Sequence, residues 1–449
     1  MIKSVLNKLF VSLEAISSLI IENRVLAISL QSLSILLLLY FFGVTAFSTI
    51  FVGLFILFFY KPKWFYYFLL IFIPLKAFLR SIPQIPSEQL TFVLPVLMLA
   101  SGIPLIARKK MRVTNIDLLV FFIFLASLFS SMGFAIIHGF RSAMVLDFLI
   151  WLQLLGFYLL GKQADDAFLN RLSFTNVIIV NLVSLWALLE LFILKNTPYF
   201  IESYELIKGR AYGPLENPNA LAGYLLFSVL FFVFAKQYKN KLLYLLLLIP
   251  VATFFLTFSR GALIVLGVIT VIYLINLKQY KLLLVALVCS FILFLIAPKP
   301  FQVRITNIFS SEHLSFSEDS GRLWSFKNVL YINRNHTLFG NGWGSYGGEY
   351  AYGKASPTYL EGVQGGVVGV GNTDNQWLQV YAQQGIMGVM LYLLIILEVL
   401  RSRSRYKILV TGFFILGIFI DTFQFYQISF ICFLLMGYLT TKETLGVLE

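Results

Sequence analysis

Residues 116–137, IDLLVFFIFLASLFSSMGFAII, decide the fold of this chain because they form one apolar run with a single charge, Asp117. A helix of about 20 apolar residues crosses the hydrocarbon core of a bilayer, so the run predicts a transmembrane helix. A second apolar run, AMVLDFLIWLQLLGFYLL, follows at residues 143–160. It predicts a second span of the same kind.

The composition extends this prediction to the whole chain. Of 449 residues, 59% are hydrophobic and 12% are charged, and the mean hydropathy is +0.86. Soluble domains carry about 25% charged residues. We therefore predict an all-α fold, a polytopic transmembrane helical bundle of about fourteen spans. The predicted spans are 26–42, 44–60, 64–78, 90–107, 116–137, 143–160, 173–194, 220–235, 242–258, 262–277, 282–297, 377–400, 408–420 and 423–439.

Basic residues follow every second predicted span and so orient the bundle. Loops rich in Lys and Arg stay on the cytoplasmic side of a membrane, which predicts that both termini are cytoplasmic. The net charge of +13 reflects these clusters, so we expect no nucleic-acid partner. The clusters are Lys61 with Lys63, Arg108 to Arg112, Lys162 with Arg171, Lys236 to Lys241, Lys278 with Lys281, and Arg401 to Lys407.

The chain divides into five predicted parts. Residues 1–25 mix charged and apolar residues at helical spacing, which predicts an amphipathic helix on the cytoplasmic face and not a cleavable signal peptide. Residues 26–297 hold the first eleven spans, and residues 298–375 form one large extracytoplasmic loop with short helices. The last three spans occupy residues 376–441, and residues 442–449 form a cytoplasmic tail.

Glycine is concentrated in the large loop. Residues 320–335 show helical spacing of apolar side chains, whereas residues 339–372 are rich in glycine and show no periodicity. Glycine at this density favours irregular backbone that can approach a ligand closely. Long loops of this kind are commonly functional.

Three arginines, Arg210, Arg260 and Arg322, lie on the predicted outer side, where the charge rule makes them scarce. We interpret them as the binding site of an anionic ligand at the outer leaflet. Lys76 and Arg80, at the outer end of the third predicted span, are weaker candidates.

Each arginine also has a structural interpretation. Arg210 would then be a surface arginine whose charged end reaches toward water. Arg260 would pair with Glu190 or Asp147, which lie in predicted spans, because ionisable groups at that depth are usually paired or functional. Arg322 would be a solvated helix end.

Polar residues mark two predicted helix starts. Residues 217–219, Asn-Pro-Asn, predict an N-cap and a first turn. Asp374 would either cap the twelfth span or accept a proton from an incoming hydroxyl group, and the second role requires Asn372 or Thr373 to cap instead. His336 is interpreted as structural more readily than as a base.

We predict no metal site, no cofactor and no disulfide. Cys289 and Cys432 both lie in apolar runs. The three histidines show no metal-ligand spacing.

The order of these segments resembles the O-antigen polymerase and O-antigen ligase superfamily (Wzy and WaaL types). The resemblance covers roughly residues 208–390. The matching pieces are residues 210–219, the Ser-Arg-Gly turn at 257–261, Gly321-Arg322, the glycine turn at 338–346, and residues 374–388.

The resemblance implies a metal-independent glycosyltransferase of the GT-C-like class in the bacterial cytoplasmic membrane. Its donor would be a glycan on undecaprenyl diphosphate in the outer leaflet, and a chain-length regulator and a flippase are candidate partners. The family's arginines hold the pyrophosphate, which maps to Arg210 and Arg260 with Arg322 joining them. We expect the loop to contact the glycan through Trp324, His336, Trp343, Tyr346 and Asn375.

One departure from the family bears on the reaction. Ligases carry a His-Asn pair before the late span, and this chain has Asp374-Asn375. The resemblance therefore favours a polymerase in which Asp374 is the base. A ligase or O-oligosaccharyltransferase that acts on lipid A core or protein is the first alternative. A lipid-linked oligosaccharide flippase is the second, although the spans have few polar midplane residues.

Overall fold

The computed structural model describes residues 46–61, 63–80, 94–95, 97–98, 101, 113–140, 142–194, 209–215, 217–235, 241–296, 299, 302, 322–346 and 375–445. These residues form helices and turns and no strand, so the all-α prediction is confirmed for this part of the chain. The predicted N-terminal helix 1–25, the first span, most of the fourth span, most of the large loop including Asp374, and residues 446–449 of the tail lie outside the described residues.

The described residues form α-helices and 3₁₀ helices. A 3₁₀ helix at Lys241–Leu247 leads into α7, and two more occupy Gly213–Leu215 and Asn333–Asn335. The α-helices are α1 Ala46–Tyr60, α2 Lys63–Arg80, α3 Asn115–His138, α4 Ser142–Lys162, α5 Asp166–Phe192, α6 Pro218–Phe234, α7 Leu248–Leu256, α8 Arg260–Asn276, α9 Tyr280–Ile296, α10 Arg322–Ile332, α11 Gln376–Arg401, α12 Tyr406–Leu416 and α13 Tyr426–Leu445.

Four of these helices, α3, α4, α5 and α11, are long and apolar enough to cross a membrane. Six shorter apolar helices of 10–17 residues accompany them: Lys63–Pro74, Pro218–Phe234, Leu242–Leu256, Arg260–Asn276, Tyr406–Leu416 and Tyr426–Thr441. The described residues therefore form a helical membrane protein.

One predicted helix start is wrong. The seventh span was expected to begin at residue 173 with Arg171 in a loop, but α5 begins at Asp166 and contains Arg171. The cause is local: the Asp165 side chain accepts a hydrogen bond from the Phe168 backbone at 2.7 Å and caps the helix.

Glycines allow α4 and α13 to pack with their backbones in contact. A Cβ atom on Gly161 would lie 2.0 Å from the Leu434 carbonyl oxygen, and one on Gly437 would lie 1.9 Å from that of Tyr158. Small residues at such contacts drive helix association in membranes, where apolar burial gives no advantage over lipid.

One end of the bundle, the Lys162 end, is closed by a buried ion pair. Both Asp117 oxygens accept hydrogen bonds from Lys162 Nζ at 2.7 Å, and the Tyr158 hydroxyl donates to the same carboxylate at 2.7 Å. Asp117 also caps α3 together with Thr114. The start of α3, the end of α4 and, through a hydrogen bond from Thr441 to the Lys162 carbonyl, the end of α13 meet here.

Candidate functional site

The opposite end of the bundle, the Asn375 end, is where the start of α11 meets the α12–α13 connection. The Gln376 backbone donates to the Gly417 carbonyl at 2.7 Å, and the Asn375 backbone donates to Asp421 Oδ1 at 2.9 Å. Gln376 Oε1 accepts from the Phe423 backbone at 2.8 Å. The first turn of α11 is therefore held rigidly against residues 417–423.

The N-cap of α11 is Asn375. Its side-chain oxygen accepts from the Trp377 and Leu378 backbones at 2.9 and 3.1 Å, and its Nδ2 donates to the Ile418 carbonyl at 3.0 Å. The alternative that Asp374 caps the helix is wrong, because its neighbour does so. Asp374 itself lies outside the described residues. The Asn375 side chain caps the helix. The glycan contact predicted for Asn375 stays a prediction.

Arg210 is a buried arginine, only 9% exposed. Its Nε donates to the Thr257 carbonyl at 2.7 Å, and its Nη2 donates to Asn219 Oδ1 at 2.8 Å. The backbones run together as well, because Ala211 donates to the Leu256 carbonyl at 3.0 Å. The interpretation of Arg210 as a surface arginine is therefore wrong.

Residues 257–259, called the Thr257 turn, join Arg210 to Arg260. α7 ends at Leu256, Phe258 adopts a left-handed conformation with φ of 49°, and α8 begins at the half-buried Arg260. A cation in the first turn of a helix opposes the positive end of the helix dipole. An anionic ligand relieves this repulsion, and helix N-termini bind phosphate groups readily.

The same turn touches the connection that holds α11. A Cβ atom on Gly261 would lie 2.5 Å from Phe419 Cβ, so the backbone at Arg260 abuts the α12–α13 connection. Asp421, two residues later, is 2% exposed and binds the Asn375 backbone. Arg210, Arg260 and the start of α11 are thus linked through contacts at one end of the bundle.

Asp421 was not among the residues predicted from the sequence. The signal was present, because Asp421 and Thr422 were the whole connection between the two last predicted spans. A carboxylate in so short a connection has little room to reach water, and Asp421 is buried.

A loop is inserted into a break in α11. Gly385 has φ 64° and ψ −163°, which interrupts the helical hydrogen bonds. The Ile386 and Met387 backbones donate instead to Thr337 and Leu338 at 2.9 and 3.1 Å. The freed carbonyls of Ala382 and Gln383 accept from Asn341 and Gly342 at 2.9 and 2.8 Å. Residues 337–342 therefore replace the missing helical turn. They supply hydrogen-bond partners to backbone groups whose unpaired state would cost free energy in a membrane.

Glycine is required where this insertion makes its closest contacts. A Cβ atom on Gly340 would lie 2.5 Å from the Gln383 carbonyl carbon, and one on Gly385 would lie 2.4 Å from the Leu338 oxygen. Both glycines have positive φ. The glycine-rich segment was predicted to approach a ligand closely. In its described part, residues 339–346, the close partner of Gly340 is the protein's own helix α11.

Asp147 of α4 anchors the end of the inserted loop. Its Oδ2 accepts from the Gly344 backbone at 2.9 Å and from Gln383 Nε2 at 2.9 Å. Gln383 also donates to the Tyr346 carbonyl at 3.1 Å. Asp147 is 4% exposed, so these bonds form in a protected interior.

Two predicted glycan contacts face the interior. The Trp343 ring packs beside Phe148 at 5.1 Å and Trp151 at 6.2 Å between ring centroids. The Tyr346 hydroxyl accepts a hydrogen bond from Asn328 at 2.8 Å, and burial raises the pKa of this phenol. Both side chains are buried and hold the loop in place, which corrects their assignment to the glycan-binding surface.

The remaining predicted residues are distributed as follows. Trp324 is half-buried on α10, and His336 is exposed at the end of the next 3₁₀ helix. The side chains of Lys76, Arg80 and Arg322 lie outside the described residues. Among the described residues, no group of three His, Cys, Asp or Glu side chains could hold a metal ion.

Comparison with known families bears on this end of the bundle. Residues 243–393 match the model of the family described as O-antigen ligase. The match confirms the resemblance to the O-antigen ligase and polymerase superfamily. The matched residues 243–393, called the O-antigen ligase region, contain the Thr257 turn, the inserted loop and the break at Gly385. Arg210 precedes this region and Asp421 follows it. Neither the curated proteins nor the solved structures gave a match.

Proposed function

We propose that the protein is a polysaccharide polymerase of the O-antigen or capsule type. It transfers a glycan chain from undecaprenyl diphosphate to the non-reducing end of a lipid-linked repeat unit at the outer leaflet. The observation that carries this proposal is the hydrogen bond from Arg210 to the Thr257 carbonyl, which links Arg210 to the turn before Arg260 within the region that matches the O-antigen ligase family.

The arginines suit a diphosphate leaving group. Guanidinium groups donate paired hydrogen bonds to phosphate oxygens and stay charged at all working pH values. The Thr257 and Asn219 oxygens hold the Arg210 side chain in one orientation, so it needs little reorganisation during the reaction. Arg322 joins them from the start of α10.

The reaction is a displacement with inversion. The acceptor hydroxyl oxygen bonds to the anomeric carbon as the bond to the diphosphate oxygen breaks. The electron pair leaves with undecaprenyl diphosphate, where Arg210 and Arg260 stabilise the charge, and the hydroxyl proton passes to Asp374. Asp421 holds the backbone of Asn375, the residue that follows Asp374 in the chain, through a hydrogen bond.

The proposed topology has about fourteen spans in the bacterial cytoplasmic membrane, at about 20 apolar residues each. The parts are those predicted from the sequence, with cytoplasmic termini and the Asn375 end outside. A chain-length regulator and a flippase are the proposed partners. The Asp374-Asn375 pair favours a polymerase over a ligase, which remains the second candidate.

The test uses a deletion strain complemented with Arg210→Lys, Arg260→Ala or Arg401→Ala. Arg401 is the matched control, because its side chain is 73% exposed at the other end of α11. We expect the first two variants to lose the polymer ladder while single lipid-linked repeat units accumulate, and Arg401→Ala to behave as wild type. Normal polymer in both site variants would exclude the diphosphate role. Long polymer left on undecaprenyl diphosphate in the deletion strain would identify a ligase.

A further inference from the structure

A cavity of about 370 Å³ lies between the second half of α3 and the turn at residues 336–341. Its α3 wall is formed by Gly133, Phe134, Ile137 and His138, and the turn contributes His336 and Phe339. Ligand pockets commonly fall between about 300 and 1,000 Å³. The volume is therefore sufficient for part of a lipid or a small molecule.

The lining separates into apolar and polar parts. Phenylalanine and isoleucine side chains form most of the wall. His138 is half-buried where α3 ends, and His336 is exposed where the turn begins. An imidazole donates or accepts hydrogen bonds in its neutral form. This arrangement fits an amphiphile with an apolar chain and a polar head.

The cavity is built on rigid elements. The turn that forms one wall is bonded into the α11 break through the Asn341 and Gly342 backbones. The Ser130 hydroxyl of α3 donates to the Phe339 carbonyl and joins the two walls. Its shape therefore does not depend on a loop that must first become ordered.

The lining differs from the arginine site in a way that separates two substrates. The described lining residues of the cavity include no arginine or lysine. The donor diphosphate takes up charge as the glycosidic bond breaks, and so needs cations. The acceptor diphosphate is also anionic but gains no further charge in the reaction, and the acceptor's polyprenyl chain needs only an apolar surface.

We propose that this cavity binds the polyprenyl chain of the acceptor, with the start of its head group at His138 and His336. The inference rests on the proposed function, in which both substrates are lipid-linked. The donor then binds beside Arg210 and Arg260 at the Asn375 end, and the acceptor binds in the cavity against α3.

Gly133 offers a way to fill the cavity without disturbing the fold. A Cβ atom there meets no heavy atom within 4 Å, so Gly133→Leu projects into open space. Gly267 of α8 has the same open surroundings and gives the matched control, Gly267→Leu. With lipid-linked polymer as fixed donor and a varied single repeat unit, we expect Gly133→Leu to raise the acceptor KM about tenfold or more at unchanged kcat. Gly267→Leu should leave both values unchanged.

Photolabelling tests occupancy without requiring activity. The full-length protein in nanodiscs is treated with a diazirine-bearing polyprenyl diphosphate that carries no saccharide. We expect label on residues 129–138 that is lost in Gly133→Leu and retained in Gly267→Leu. Labelling of these residues by a diacyl lipid probe alone, or an unchanged acceptor KM together with retained label in Gly133→Leu, would overturn the proposal. Absence of glycan transfer in the wild-type protein would instead refute the proposed function. The labelling result would still show whether the cavity binds a polyprenyl chain.

Discussion

Two buried aspartates, Asp117 and Asp147, lie at opposite ends of the α3–α4 pair and are bound in different ways. Asp117 meets the Lys162 ammonium and the Tyr158 hydroxyl. Asp147 accepts hydrogen bonds from the Gly344 backbone and the Gln383 amide. The first carboxylate joins helices to one another, whereas the second joins a helix to an inserted loop. We infer that the Lys162 end provides stability and the Asn375 end provides function.

The largest effect on stability is expected from Asp117→Asn. The substitution leaves the Lys162 ammonium buried without its counter-charge, which costs about 3–5 kcal/mol. Thermal unfolding followed by size-exclusion chromatography in detergent should show a large fall in Tm. The double variant Asp117→Leu with Lys162→Met should recover most of it, and an unchanged Tm in the single variant would contradict this account.

Gly385→Ala tests the loop insertion. At φ 64° and ψ −163° an alanine is strained by about 1–3 kcal/mol, and its Cβ would meet the Leu338 oxygen at 2.4 Å. We expect residues 337–342 to leave the break, so that a cysteine introduced at Leu338 reacts faster with a water-soluble maleimide. Gly267→Ala lies in an open helical position and should stabilise the protein by about 0.5–1 kcal/mol. Equal reactivity in both backgrounds would show that the break is not needed to hold the loop.

Asp147→Asn should separate function from stability. An amide oxygen can still accept from Gly344, but the contact with Gln383 weakens, at a cost of about 1–3 kcal/mol. A displaced loop lowers the transfer rate by up to about 100-fold, because catalytic geometry tolerates little error. Polymer formation by purified protein at matched folded concentration measures this, with the Tm recorded in parallel. A change in Tm at an unchanged rate would place Asp147 with the purely structural residues.

The smallest effects come from two helix caps, one at each end. Asp165 caps α5 at the Lys162 end, and Asn375 caps α11 at the Asn375 end. Replacing either by alanine should cost about 1 kcal/mol of stability. Only Asn375→Ala should also lower the transfer rate. If both variants reduce the transfer rate equally, the inference that only the Asn375 end provides function is wrong.

Hydropathy predicted the helices well where the chain is simply apolar. The helices at 115–138 and 142–162 match their predicted spans closely, because length and apolar content determine where a chain crosses a bilayer. The start of α5 was missed because the capping by Asp165 adds a polar first turn that hydropathy does not count. Likewise, the break at Gly385 leaves no trace in hydropathy.

The candidate site was predicted unevenly for a physical reason. Arg210 was identified because its charge conflicts with its position, and the structure gives it fixed partners. Trp343 and Tyr346 were assigned to the glycan as part of the large loop that resembles the family, but residues 340–346 are buried in the bundle. Asp147 and Gln383 act through contacts distant in sequence, which no local pattern reveals.

The inserted loop also constrains how the chain is assembled in the membrane. Residues 337–342 precede α11 in the chain and are therefore synthesised before the Gly385 segment. Until the two meet, the carbonyls of Ala382 and Gln383 and the amides of Ile386 and Met387 lack their final partners. We therefore expect α11 to form in two steps: the interrupted helix enters the membrane, and residues 337–342 then supply the missing hydrogen-bond partners.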